Sequence, residues 1–149
     1  MLEKTTLKKI NNWITEGFEK RSTEDSKECC AYFIKAWDAL HENAPESIKD
    51  FSLLVEKYNQ GEEDYDWGGW IWEVGEELGI AGKEHPECME HRIEFIQGFK
   101  ARFPETSDEE LMEELAEDLG NLKYNALEDF LELLATKIQK DSNKDTKSS

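Results

Sequence analysis

Apolar positions recur along this chain at helical rather than strand spacing, and nothing alternates at period two over more than four residues. Leu7, Ile10, Trp13, Ile14 and Phe18 mark a helix over residues 4 to 20, and the polar run Arg21 to Asp25 supplies a turn and the next cap. Cys29, Phe33, Ala36, Trp37 and Leu40 mark a second helix, from Glu24 to about Glu42. A third is expected to open at Pro45, a favoured first-turn position, with Ile48, Phe51, Leu54, Val55 and Tyr58 on its inner side. It ends at Asn59 to Gly61, and the acidic turn Glu62 to Asp66 follows.

The stretch Asp64 to Pro104 holds three of the five tryptophans and six of the nine glycines, so apolar anchors and backbone breaks concentrate there. Its first half reads as a helix from Asp66 or Trp67 to about Ala81. At one hundred degrees per residue, Trp67, Trp70, Ile71, Val74, Leu78 and Ala81 form one narrow stripe, while Gly68, Trp72, Gly75 and Gly79 lie nearly opposite. Each interior glycine costs about 1 kcal/mol relative to alanine, so the bare face predicts the close approach of a second helix. Gly82 is expected as a left-handed C-cap and Pro86 as the first turn of the next helix. That helix runs from about Glu87 to Phe103, with Met89, Ile93, Ile96, Phe99 and Phe103 inward and Phe95 widening the face. Pro104 stops it. Two amphipathic helices joined this closely make an αα-hairpin.

Beyond Pro104, Ser107 with Glu110 is a capping-box signature ahead of a helix bearing Leu111, Leu115, Leu119 and Leu122. A further helix, Leu127 to Gln139, is expected to bury Leu127, Phe130, Leu131, Leu134 and Ile138. Only Asn125 hints at a turn between the two, so they read as two helices or as one bent helix. The expected organisation is a single helical-repeat domain over residues 1–140, followed by a disordered polar tail over 141–149 that holds no apolar residue.

The net charge of −17 narrows the function classes: phosphate backbones are repelled, so direct nucleic-acid binding is not expected, and basic partners are favoured. The chain is 38% hydrophobic, too apolar for a disordered one. No apolar run approaches the roughly 18 residues of a membrane span, and the first twenty residues mix Lys and Glu unlike a signal peptide, so a cytoplasmic protein without membrane contact is expected. Cys29, Cys30 and Cys88 are odd in number and read as reduced core thiols.

The helix pairs have tetratricopeptide-like dimensions. Cys29, Phe33 and Ala36 stand at the spacing of the small, aromatic and small residues of a tetratricopeptide second helix, and Phe103-Pro104 stands where such a repeat ends. Residues from about 24 to 141 resemble the tetratricopeptide-like region of bacterial proteins that often carry a SEC-C zinc motif. The match runs through Trp37, Tyr58-Asn59, Trp70 with Glu73, Glu77-Leu78, Ala81-Gly82, Arg92-Ile93, Phe95, Phe103-Pro104 and Leu115-Ala116-Glu117. The zinc motif itself is absent, since no Cys-rich segment follows residue 104. Gly69 and Ile80 stand where that family has polar residues, and the repeat's turn glycine is missing near Asn125. The resemblance implies an all-α short right-handed solenoid of tetratricopeptide-like antiparallel hairpins, six or seven helices in all.

A second resemblance concerns chemistry. Glu73-Val74-Gly75-Glu76 and Glu117-Asp118-Leu119-Gly120-Asn121 are similar to the acidic helical motifs with which MazG-type nucleotide pyrophosphohydrolases hold magnesium, although Asn121 replaces the last carboxylate. With 35 acidic residues, Glu-x-x-Glu spacings also arise on solvated helix faces. His85, Cys88 and His91 fan across more than a hundred degrees of helix, and a zinc site there would need convergence and a fourth ligand, which Cys29 or Cys30 could supply only if the second helix packs against them. The plainer reading is a core cysteine flanked by surface histidines. There is no phosphate loop, nucleophile elbow or dinucleotide fingerprint.

Trp13, Trp37, Trp67 and Trp70 sit on apolar stripes and read as core. Trp72 and Tyr65 lie off them and are the candidate partner-binding residues. The expectation is a non-catalytic module without cofactor or metal, binding a basic protein or peptide segment in an acidic groove. The alternatives are an acidic mimic that inhibits a nucleic-acid-binding protein and a MazG-like magnesium-dependent hydrolase. Oligomeric state and the partner's identity are not written in the sequence.

Overall fold

The computed structural model describes residues 2–62 and 64–147, and of these the side chains at 119, 122–126, 129–130 and 141–147 are left aside. It is all-helical, with α1 (Lys4–Ser22), α2 (Ser26–Asn43), α3 (Phe51–Tyr58), α4 (Trp67–Ala81), α5 (Pro86–Arg102) and α6 (Glu109–Lys147). There is no strand among the described residues. No helix is long and apolar enough to cross a membrane among those residues.

α1 packs most extensively on α2; α2 also meets α4 and α5, α4 meets α5, and α6 rests on α5. The core is the sum of the predicted stripes. Ile10 and Ile14 of α1, Phe33 and Leu40 of α2, Trp67, Trp70, Ile71 and Leu78 of α4 are all fully buried. On α5 the buried face is centred on Phe95, Ile96 and Phe99, with Met89 and Ile93 only at its edge. Phe95, Phe99 and Phe103 follow one another a turn apart, as Cβ direction on a helix requires, and the Trp37 ring meets Phe95 edge-on at 5.1 Å. Burying one such ring is worth about 1.5–3 kcal/mol.

The caps differ from those expected, and each difference has a local cause. α2 begins at Ser26, not Glu24, because Asp25 caps it, accepting from the Glu28 N–H at 3.1 Å. Glu24 instead adopts φ 61°. The Asp25 N–H reaches Lys20 O and the Glu24 N–H reaches Arg21 O, so a Schellman closure of α1 falls on a non-glycine residue. Gly82 is right-handed (φ −64°, ψ −18°), and α4 ends through successive tight turns. A Cβ there would come within 2.6 Å of the Met89 Sδ, so a larger residue would require the Met89 side chain to move.

The helix expected to open at Pro45 begins only at Phe51, with Asp50 as its cap. Arg102 explains the delay: its guanidinium donates to the carbonyls of Ala44 (2.8 Å), Pro45 (2.6 Å) and Ile48 (3.0 Å), holding residues 45–50 as a strap. Asp50 also accepts from the Ser107 N–H, and the α6 cap is Asp108, which accepts from Leu111 N–H, rather than Ser107.

α6 is helical without a break from Glu109 to Lys147, so it takes in both expected C-terminal helices and runs into the segment from Asp141 read as a tail. Among the described leucines of α6, only Leu111 and Leu115 join the core. Leu127, Leu131, Leu134 and Ile138, expected inside, are exposed, in a part of the helix where every described side chain from Gly120 onwards is exposed. Leu119, Leu122 and Phe130, also expected inside, lie outside the described side chains.

Candidate functional site

α4 has two working faces. Its apolar stripe is spent on the core, and the glycine-flanked face looks towards α5 and α6. What approaches that face is side chains rather than a second backbone. A Cβ on Gly75 would meet the Phe95 ring at 3.9 Å, and one on Gly79 would meet the Arg92 guanidinium at 3.1 Å. Arg92 thus lies in the notch left by Gly79 and extends to α6, where its Nη2 donates to Asp118 Oδ2 at 3.2 Å.

Between the three helices is a cleft of about 240 Å³. Ile71 and Leu115 contribute apolar lining, Trp72 contributes its indole, and Glu76, Arg92, Glu114 and Asp118 supply charge. Trp72 is half-buried against the core while lining this cleft, so it is both a packing residue and a groove wall. The electrostatics are unbalanced. Three carboxylates line the cleft against one guanidinium, and Glu114 is pushed above its ordinary pKa by desolvation first, then by Asp118, Glu76 and Glu117, with Arg92 opposing. The Arg92 Nε is buried and has no hydrogen-bond partner among the described residues.

Tyr65, the other candidate, is elsewhere. It lies ahead of α4, 43% exposed, with its ring stacked on Phe18 of α1 at 4.3 Å between centroids. Its carbonyl accepts from the Asn59 Nδ2, while the Asn59 Oδ1 accepts from the Trp67 N–H at 2.7 Å. Asn59 therefore fixes this turn, and Tyr65 does not line the cleft that Trp72 lines.

The two acidic motifs meet only in part: Glu76 of the first and Asp118 of the second line the same cleft, while Glu73 turns to the end of α1. Glu73 pairs with Arg21 at 2.8 Å, and Arg21 also pairs with Glu77 at 3.1 Å, joining the end of α1 to α4. Glu77 is only 4% exposed, and burial raises its pKa, with Arg21 lowering it and Glu73 and Glu76 raising it. Glu76 faces the cleft, and Asp118 is engaged by Arg92. Among the described residues no three His, Cys, Asp or Glu side chains are grouped to hold a metal ion.

The thiols are buried and free. Desolvation, aided by the neighbouring carboxylates and thiols, pushes Cys29 and Cys30 up to about 12. Cys30 and Cys88 line a small hollow with Ile34 and Leu78. His85 and His91 face Glu87 and Glu94 at 4.0 and 3.7 Å.

Sequence reasoning passed over Glu114 as a groove residue. The available signal was the spacing of Glu114 and Asp118 beside Leu111 and Leu115, a polar row adjoining an apolar one on the same helix. No family model, no curated protein and no solved structure matches this chain.

Proposed function

We propose that this protein is a non-catalytic interaction module that receives a basic segment of a protein partner in the cleft between α4, α5 and α6. The observation behind the reading is that Glu76, Glu114 and Asp118 line one cleft together with the Trp72 indole, with Arg92 as the opposing charge. A lysine or arginine side chain has the matching form: an apolar stem to lie on the ring and a cationic head for the carboxylates. One such contact supplies about 0.5–1 kcal/mol from the ring and a similar amount from each exposed ion pair. Micromolar affinity therefore requires several basic residues, and the net charge of −17 draws them in over a longer range.

The scaffold we propose is a short right-handed, tetratricopeptide-like solenoid, α1 with α2 and α4 with α5 forming hairpins. Support comes from α2, which touches both helices of the next pair, as stacked hairpins do. The magnesium-hydrolase alternative would need Glu73, Glu76, Glu117 and Asp118 at a metal; Glu76 and Asp118 do share the cleft, but Glu73 and Asp118 each face an arginine.

The test is a tryptophan-fluorescence titration with a short lysine- and arginine-rich peptide and its glutamine counterpart. Saturable binding of the basic peptide alone is expected, weakened about tenfold, or about 1.4 kcal/mol, by Glu76→Gln with Glu114→Gln. The same charge change at the distant Glu3 and Glu16 should leave it nearly unchanged. Absence of saturation, or binding indifferent to the cleft pair, would refute the assignment.

A further inference from the structure

We infer that α6 is a self-association helix, pairing antiparallel with the α6 of a second copy of this chain through Leu127, Leu131, Leu134 and Ile138. These residues follow a four-three-four spacing and fall within about 60° of one another at 100° per residue. They are 54%, 52%, 42% and 58% exposed. From Gly120 onwards every described side chain of α6 is exposed, so the stripe is presented clear of the protein's own core. It extends over about 17 Å of helix.

Charge along the helix selects the occupant. Between Glu109 and Glu132 the sequence carries nine acidic residues and one lysine; from Leu133 to Ser149 it carries four lysines and two aspartates. The helix is acidic at its start and basic at its end. Two parallel copies would set acid beside acid along their length. Two antiparallel copies, with Leu127 opposite Ile138 and Leu131 opposite Leu134, place Lys137 of each opposite Glu128 of the other and Lys147 opposite Asp118, and their helix dipoles also oppose. An anionic lipid surface, by contrast, would meet a chain of net charge −17.

Four half-exposed apolar side chains per copy bury less than the roughly 1,600 Å² of a standard interface. The pairing is therefore weak, with a dissociation constant on the order of 100 μM.

Sedimentation equilibrium on the full chain, from about 10 μM to about 1 mM, reads it directly. The mass should rise from monomer towards dimer across that range. Leu131→Glu with Leu134→Glu should hold the chain monomeric throughout, with an unchanged circular dichroism spectrum and urea midpoint, since neither side chain touches the core. Lys137→Glu with Lys140→Glu should weaken association at least fivefold. The same charge change at Lys8 and Lys9 on α1 serves as control for general repulsion. A monomer at every concentration, or dimerisation untouched by the leucine pair, overturns the proposal; equal effects of the two lysine pairs overturn the antiparallel arrangement.

Discussion

Replacing Arg102 by alanine should cost far more than the loss of an ordinary surface arginine. Its guanidinium sits at the end of α5 and serves three carbonyls that no helix satisfies: Ala44, Pro45 and Ile48, at 2.8, 2.6 and 3.0 Å. It also lies 4.9 Å from the centre of the Phe103 ring. Pro45 O keeps the Ile48 N–H after the substitution, so two carbonyls lose their partner. A hydrogen bond from a charged donor contributes about 1.5–3 kcal/mol. The site is only partly buried, so water recovers some of this, and the expected loss is about 3 kcal/mol. That is a large share of the 5–15 kcal/mol typical of a whole domain. Urea unfolding followed by tryptophan fluorescence measures it, and Arg102→Lys provides the second arm. An ammonium cannot span three carbonyls in one plane, so lysine should restore less than half. A loss under about 1 kcal/mol, or full rescue by lysine, would show that residues 45–50 are held by something other than this guanidinium.

Two further outcomes follow from the buried and strained groups. The folded pKa of Glu77 is raised above the ordinary 4.5 by burial, so its contribution to stability is fully present below 4.5 and is lost as pH rises through the folded value. Urea midpoints measured from pH 4.5 upward should therefore fall less steeply in Glu77→Gln than in the parent, and an identical slope would contradict the assignment. Glu24 carries a left-handed backbone that costs a non-glycine residue about 1–2 kcal/mol, partly offset in glycine by its greater unfolded-state entropy. Glu24→Gly should then raise stability by about 0.5–1 kcal/mol, and a lower urea midpoint would mean that the Glu24 side chain matters more than its backbone.

The helices themselves were legible in the residue order. Spacing alone located α1, α4 and α5 to within a residue or two, because a stripe such as Trp67, Trp70, Ile71, Val74, Leu78 and Ala81 can be buried only as a helix face. Glu77 was legible in principle too: it falls on that stripe, beside Trp70, and a carboxylate there must be paired. The groove was half legible. Trp72 stood out for lying off the stripe, and the pair of acidic motifs already set Glu76 with Asp118, but nothing in the residue order brought Glu114 to them.

What the sequence determined is every property that depends on neighbours within a turn or two of helix: the apolar faces, the Pro86 start and the all-helical class. What only the tertiary structure decided is every pairing between groups some fifty residues apart, such as Arg21 with Glu73 and Arg102 with Ala44. Those pairings moved the start of α3 from Pro45 to Phe51 and turned one carboxylate of each acidic motif towards an arginine. The leucines of α6 make the same point in reverse. A heptad-like stripe looks identical whether it meets its own core or stands free, because periodicity fixes which residues share a face and only packing fixes what, if anything, lies against it.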